Sequence, residues 1–311
     1  MAGIAVILNP HAGGNLEEVA RGERLRRIIG GQGAVFETED LDRLREAIAR
    51  ALEGRPEILA ICGGDGSYFR AFSAIESLLG DRPWPEILPL PAGTINNLTH
   101  AVQSMAGSPE KLLARVVFDH ARGIAHAKAE CDLFRIGETD VGYIFGAGMI
   151  VNFLRAYYAT EHPSPVSAAR LIARLIGSAA VRGPLQAKIF QPFEADIVCD
   201  GERVPHRHYR MLIASSVRAI GLGFEPFYLA GRHPGQFHVL GGPARASRLI
   251  RRLPRFRKGF PAGDPQLYDN LVAEMRVEFA RPAYYTVNGD LLGPVTRIDL
   301  RRLRRITVIR G

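Results

Sequence analysis

Between residues 3 and 102 the chain alternates short apolar runs with segments of helical spacing. "GIAVIL" (3–8) precedes "LEEVARGERLRRII" (16–29), and "AVFET" (34–38) precedes "LDRLREAIARAL" (41–52). "EILAIC" (57–62) precedes "SYFRAFSAIESLLG" (67–80), and "EILPL" (86–90) precedes "NNLTHAV" (96–102). Strands separated by helices pair in parallel, because a helix supplies the crossover that parallel neighbours require. The expected fold class is therefore α/β, with an N-terminal parallel sheet covered by helices on both faces. In such sheets ligands sit beyond the carboxyl ends of the strands. Three unusual loops fall at those ends: "NPHAGG" from Asn9, "GGDGS" from Gly63 and "PAGTINN" from Pro91.

The texture changes after residue 122. "CDLFRIG", "VGYIFGAGMI", "EADIVCDG", "YRMLIASSVRAIG", "QFHVLGG", "VAEMRVEFA" and "AYYTVNGD" read as strands joined by turns. Two helical segments interrupt them, near 151–160 and 166–182. In the second, Leu171, Leu175 and Ile176 form an apolar side beside Arg170 and Arg174. It suits a helix packed on a sheet, or a basic amphipathic helix at a membrane surface. We expect two domains: 1–122, a parallel α/β domain, and 123–311, a β-rich antiparallel domain whose last strands return to the first.

A chain of 311 residues is long enough for two cores, and 47% hydrophobic residues can fill them. No uninterrupted apolar run reaches the ~18 residues of a membrane span. "MAGIAVILNP" lacks a basic segment and a small-residue cleavage site, so it reads as a buried first strand. Cys62, Cys131 and Cys199 match no metal spacing and fit buried free thiols of a cytoplasmic protein. "HRH" (206–208) offers two histidines without a third ligand and reads as a solvated turn or strand. The expected metal-ligand set is therefore none. A net charge of +8 favours anionic partners. It is concentrated in "ARASRLIRRLPRFRK" (244–258), with seven basic residues and no acid, and in "RIDLRRLRRITVIR" (297–310). Arginines mixed with Leu249, Ile250, Leu253, Phe256 and Phe260 suit an anionic lipid surface better than base readout. No nucleic-acid-binding motif is present.

Glycine loops that open helices are suited to phosphate, since backbone N–H groups and a helix N-terminus can cradle its oxygens. Neither a Walker A loop nor G-x-G-x-x-G occurs at these points. The ordered triple "NP-x-AG", "GGDG" and "P-x-GT-x-N" resembles the diacylglycerol kinase catalytic family, lipid kinases that include sphingosine kinases and bacterial relatives. The resemblance spans nearly the whole chain. It implies ATP along the glycine loops and transfer of its γ-phosphate to a lipid hydroxyl. NAD kinases share the fold and "GGDG", but the other two loops favour the lipid branch. The resemblance assigns Asn9, Pro10, Ala12 and Gly13 to the opening loop. Thr38 falls where the family has a nucleotide-contacting threonine. Gly63, Gly64, Asp65, Gly66 and Ser67 form the central loop, with Ser67 in place of the usual threonine. Pro91, Gly93, Thr94 and Asn96 form the last loop. Asp65 would repel bare phosphate, so it orients the loop, meets a magnesium ion or caps the following helix.

Two positions depart from the family pattern. The family closes its site with Asp-Gly-Glu, whose carboxylates activate the acceptor hydroxyl. Here "YTVNGDLLG" places Asn288 at the aspartate position and Asp290 at the glutamate position. An amide takes no proton at neutral pH, which leaves Asp290, one methylene shorter than glutamate, as the candidate base. Asn-Gly is also the strongest short hairpin signal. Bacterial relatives often carry an aspartate at a structural magnesium site where "AGRHPGQFHVL" has Pro234, so that accessory site is expected to be absent. Magnesium is then carried mainly by ATP phosphates. Asp132 is expected to make a structural hydrogen bond. The expected function is an ATP-dependent lipid kinase, cytoplasmic and peripheral at an anionic membrane. Alternatives are a non-catalytic nucleotide- or lipid-binding relative and an NAD kinase-like phosphotransferase. A homodimer is a candidate assembly, and nucleic acid is not an expected partner.

Overall fold

The computed structural model describes residues 3–12, 15, 20–38, 40–93, 95–160 and 164–310. The chain divides into two compact units. One comprises 1–131, 139–141 and 305–311, and the other 132–138 and 142–304. The first unit thus runs past residue 122 to Cys131.

In the first unit, β1 (Ile4–Leu8), β2 (Gly33–Glu37), β3 (Ile58–Gly63) and β4 (Glu86–Pro91) pair in parallel in the order β2-β1-β3-β4. Every residue of β1 and β3 is buried. A continuous apolar run of this kind marks a strand covered on both faces. The covering helices are built as their sequences suggest. Helix α1 (Arg21–Ile29) buries Leu25 and Ile29, and its predicted first turn at 16–19 lies outside the described residues. Helix α2 (Leu41–Glu53) starts on Asp40, whose carboxylate accepts the Arg43 N–H at 2.8 Å. Leu44, Ala47, Ile48 and Ala51 form its buried stripe. Helix α3 (Asp65–Leu79) begins two residues earlier than its apolar spacing suggested, with Gly64 as N-cap. Helix α4 (Asn97–Ala101) is a short turn after the third loop. Helix α5 (Pro109–Ala121) has Ser108 as N-cap and Pro109 at its first position, and buries Leu112, Leu113, Val116 and Val117.

The second unit is mainly antiparallel, as expected. Strands β5 (Lys128–Ile136) and β6 (Asp140–Gly142) lead into it, and each spans a boundary between the units. There follow β7 (Ile144–Gly148), α6 (Met149–Tyr158), α7 (Pro165–Ala180) and α8 (Pro184–Ile189), the last of these unforeseen. Strands β8 (Phe193–Cys199), β9 (Glu202–Arg203), β10 (His208–Tyr209), β11 (Met211–Ser215) and β12 (Phe237–Gly242) come next. Helix α9 (Ala246–Arg257), β13 (Tyr268–Val272), β14 (Glu274–Val287) and β15 (Asp290–Ile309) complete the chain. Strands β7, β11, β12 and β13 pair side by side antiparallel, and β14 pairs with β7, β8 and β15. Leu175, Ile213, Leu240, Leu249 and Phe256 share one core, whereas Ile176 is exposed, a departure from its expected place on the packed side of its helix. The end of β15 lies in the first unit, where Val308 pairs in parallel with Ile87 of β4 and Ile309 joins the core.

The three cysteines are free and buried, and burial pushes the Cys62 thiol up to about 12. "HRH" lies partly exposed around β10, with His208 3.6 Å from Glu194. The Asp132 carbonyl accepts the Ser216 hydroxyl at 2.6 Å. "HPSP" begins among residues that lie outside those described.

Helices α1 and α5 are joined by Glu110, which accepts Arg21 Nε and Arg24 Nη2, each at 3.0 Å. Burial alone would raise this carboxyl. Its helix N-terminal backbone bond and the two guanidinium groups prevail and hold it near 2, below its ordinary 4.5. A depressed carboxylate stabilises the fold above its unfolded value, and that contribution disappears as pH falls through the folded one. Glu110→Gln should therefore lower stability at neutral pH by about 1–3 kcal/mol. Urea midpoints measured against pH should show the gap to wild type closing between pH 4.5 and 2. A gap that persists at the acid end would refute this ion-pair account.

Candidate active site

The parallel register of β3 with β4 places Gly63 beside Pro91, so the second and third loops leave the sheet as neighbours. They touch through backbone. A Cβ added at Gly93 would lie 2.4 Å from Gly64 Cα, closer than a real side-chain carbon is found. Only two glycines permit this approach. Gly64 N-caps α3, and the first-turn N–H groups of that fifteen-residue helix have no intrahelical acceptor. The helix dipole adds positive potential there.

The loops are also tied by side chains. Asn9 Nδ2 donates to Ser67 Oγ at 3.0 Å, linking the first loop to the second. Asn9 Oδ1 accepts the His11 N–H at 2.9 Å, and Ala12 N donates to Asn9 O at 3.2 Å, which folds the loop around Pro10. Asn96 adopts a left-handed conformation (φ 55°), accepts the Gly93 N–H at 2.9 Å and donates to Gly93 O at 2.7 Å. Asp65 does not N-cap its own helix. Its Oδ2 accepts the Asn97 N–H at 3.1 Å and Asn97 Nδ2 at 3.3 Å, so it caps α4 and binds the second loop to the third.

Thr38 is buried, and its hydroxyl donates to Leu8 O at 3.3 Å, bracing the ends of β1 and β2. Gly13 and Thr94 lie outside the described residues. Residues not singled out in the sequence support the first loop. Asn15 donates to Asn9 O and accepts from Arg21, which in turn holds Glu110. The buried Tyr68 hydroxyl is held well above its ordinary value by burial first and then by the Asp65 carboxylate, so it stays protonated. At the opposite, N-terminal ends of β3 and β4 a cavity of about 760 Å³ is lined by Trp84, Glu86, His120 and His126. Helix C-termini point that way, which disfavours phosphate.

In the second unit, Asn288 and Gly289 link β14 to β15 with φ of 49° and 101°. Two positive values mark the type I′ hairpin that Asn-Gly favours. Val287 pairs with Asp290, which is half-buried. Asn288 is buried, and its Oδ1 accepts two backbone N–H groups, from Tyr143 at 3.1 Å and Ile144 at 2.9 Å. Its Nδ2 has no acceptor among the described residues. Tyr158 OH donates to Gly289 O at 3.0 Å, and Arg155 stacks 4.0 Å over Tyr284. In the loop before β12, a Cβ on Gly235 would lie 3.3 Å from Arg302 Nη1, so a guanidinium occupies the neighbourhood of Pro234. Among the described residues no three His, Cys, Asp or Glu side chains gather as a metal cage.

Backbone donors, hydroxyls and a helix N-terminus are groups from which a cradle for phosphate oxygens can be built. Comparison with known proteins gives that cradle a family. Residues 3–129 match the diacylglycerol kinase catalytic domain, the family whose loops this sequence resembles. The first unit therefore carries a domain of that class. The whole fold is shared with a crystal structure of a diacylglycerol kinase from Bacillus anthracis str. Sterne. It has a TM-score of 0.65 at 13% identity, covering 99% of this chain and 96% of that one. Two candidate diacylglycerol kinases from the same organism superpose with TM-scores of 0.72 and 0.67 at 12% and 13% identity. They also cover 99% of this chain, and 96% and 97% of their own. No curated protein matches the sequence.

Gly93→Ala should force the two loops apart, destabilising the protein by about 1–3 kcal/mol and abolishing nucleotide binding. Gly31→Ala, whose added Cβ meets nothing within 4 Å, should stay within about 0.5 kcal/mol of wild type. Thermal melts with and without ATP read both effects. Equal melting and equal ATP response for the two variants would refute the close approach.

Proposed function

We propose that this protein is an ATP-dependent lipid kinase that moves the γ-phosphate of ATP to a hydroxyl of a diacylglycerol-like or related lipid. The observation that carries the reading is the close contact of the Gly64 and Gly93 loops, inside the residues that match the diacylglycerol kinase catalytic domain. In this reading the first-turn N–H groups of α3 and the Ser67 hydroxyl hold phosphate oxygens. Asn9, Pro10, Ala12, Gly13, Gly63, Gly66 and the Gly93–Asn96 turn with Thr94 shape the rest of the nucleotide site. Thr38 braces the strand ends, because its hydroxyl is bonded to Leu8 O. Asp65 keeps the second and third loops in register through Asn97. Magnesium arrives on the phosphates, which suits an ion that keeps much of its water. The Arg302 guanidinium beside Gly235 disfavours an accessory cation in that loop.

Asp290 is the candidate base for the acceptor hydroxyl. Asn288 cannot take the proton and instead anchors the turn through Tyr143 and Ile144. Phosphoryl transfer depends chiefly on positioning and charge stabilisation, so a modest base suffices. The protein would work as a peripheral cytoplasmic enzyme on a lipid acceptor in an anionic membrane. No helix among the described residues is long and apolar enough to cross one. A second reading, a nucleotide- or lipid-binding relative without turnover, is favoured by the buried amide of Asn288.

Transfer of labelled γ-phosphate from magnesium-ATP to a panel of lipid vesicles, followed by lipid chromatography, separates the readings. The kinase reading expects a labelled lipid from wild type and a loss of about 10²–10⁴-fold in Asp290→Asn, with ATP binding retained. Unchanged transfer in Asp290→Asn would remove the base assignment. A silent wild type beside an active Asn288→Asp would replace the kinase with the non-catalytic binder.

A further inference from the structure

Helices α7 and α9 pack on one core in the second unit, where Leu175 of the first meets Leu249 and Phe256 of the second. Their outer sides carry charge of a single sign. Residues 164–193 and 243–263 together contain eleven Lys and Arg and no Asp or Glu, more than the net +8 of the whole chain. The rest of the molecule sums to a slightly negative charge, although 297–310 is a second basic stretch within it. Arg170, Arg174 and Arg182 are exposed in the first, and Arg245, Arg251 and Arg255 in the second. Among the described residues Arg251 and Arg255 donate to backbone carbonyls, of Ser247 and Pro261, and meet no carboxylate. Among the described residues, Arg248 is the one arginine of this helix paired with a carboxylate, that of Asp264 at 3.0 Å.

Large apolar side chains stand exposed among these arginines. Val166 is 58% exposed, Ile176 40%, Val181 78% and Phe260 51%. Aliphatic groups gain nothing from a nucleic-acid backbone, whereas at a bilayer they enter the headgroup boundary while arginines meet lipid phosphates. The main apolar stripes of both helices are already committed to the core. Contact with a bilayer therefore rests on charge with shallow aliphatic insertion, and it must be reversible and sensitive to salt.

We infer that the outer face of α7 and α9 docks this protein on an anionic lipid bilayer. The placement has a consequence for the candidate acceptor turn. Leu171 and Ala168 of α7 pack with Leu154 and Tyr157 of α6, and Leu291, next to Asp290, packs against the same cluster. Helix α6 also supplies Tyr158 to Gly289 O and Arg155 to Tyr284. One layer of helix thus separates the docking face from the turn. Presentation of membrane lipid to that turn rests on the kinase reading, while docking itself does not.

The test is flotation of the full chain with vesicles of phosphatidylcholine alone and of phosphatidylcholine mixed with phosphatidylglycerol. Binding is expected only to the mixed vesicles and should fall as salt rises. At about 1 kcal/mol per basic residue near an anionic surface, each lost arginine lowers partitioning roughly five-fold. Arg170→Glu/Arg251→Glu should then lower it by at least ~25-fold. The control pair Arg27→Glu/Arg281→Glu, outside both helices, should bind better than the helix pair. Val166→Asp/Val181→Asp should also weaken binding. Circular dichroism melts verify that each variant folds. Equal losses in helix and control pairs would assign binding to overall charge and overturn the inference, as would equal binding to both vesicle types. Tighter binding of RNA or duplex DNA through the same arginines would also overturn it. Phosphorylation of a detergent-dispersed lipid by the helix pair keeps the two readings apart. Unchanged transfer there with lost flotation supports docking, and transfer with wild-type flotation in that pair refutes docking while leaving the kinase reading intact.

Discussion

Two glycine backbones in contact organise the first unit. The pairing of β3 with β4 delivers the second and third loops side by side, and the missing Cβ atoms of Gly64 and Gly93 let them close. The remaining ties work only at that spacing. Asp65 reaches Asn97 because the loops are adjacent, and Asn96 can clamp Gly93 because its own backbone is left-handed. Asn9 then brings in the first loop through Ser67. The phosphate cradle proposed for these loops contains little side-chain charge. Its positive potential comes from ordered N–H groups, which require no counterion when the site is empty.

Local features of the fold were legible in the sequence. The fully buried runs of β1 and β3, the caps at Asp40 and Ser108 and the Asn288–Gly289 hairpin each depend on a few neighbouring residues. What could not be read depends on contacts between distant segments. Asp65 bonds a residue 32 positions away, and Arg21 one 89 positions away. Nothing in "GGDG" says that its carboxylate caps a later helix rather than its own. Thr38 stands at a strand end as the family pattern implies, but its burial beneath Leu8 O is set by how β1 and β2 pair. Ile176 reads as part of an apolar side, and only the docking angle of α7 leaves it outside.

Asn288 combines a structural duty with an amide's chemistry. Its oxygen still accepts two backbone N–H groups, so the turn is anchored as a carboxylate would anchor it. Its nitrogen lies buried without an acceptor among the described residues, an arrangement that a group chosen only for the hairpin would avoid. An amide here also leaves the position without a titration of its own, which is why the proposed base is the half-buried Asp290.

The twenty-residue strand β15 begins in one unit and ends in the other. Its last residues pair with β4, and Met105 N and Ser104 Oγ both donate to Arg310 O. During synthesis the ribosome has produced residues 1–131 of the first unit long before these residues exist. Until they emerge, β4 presents an open edge, the feature through which strands mispair with other chains. Completion of the first unit therefore waits until these residues have emerged, and the nascent protein has a built-in interval in which its half-finished sheet depends on chaperones or speed.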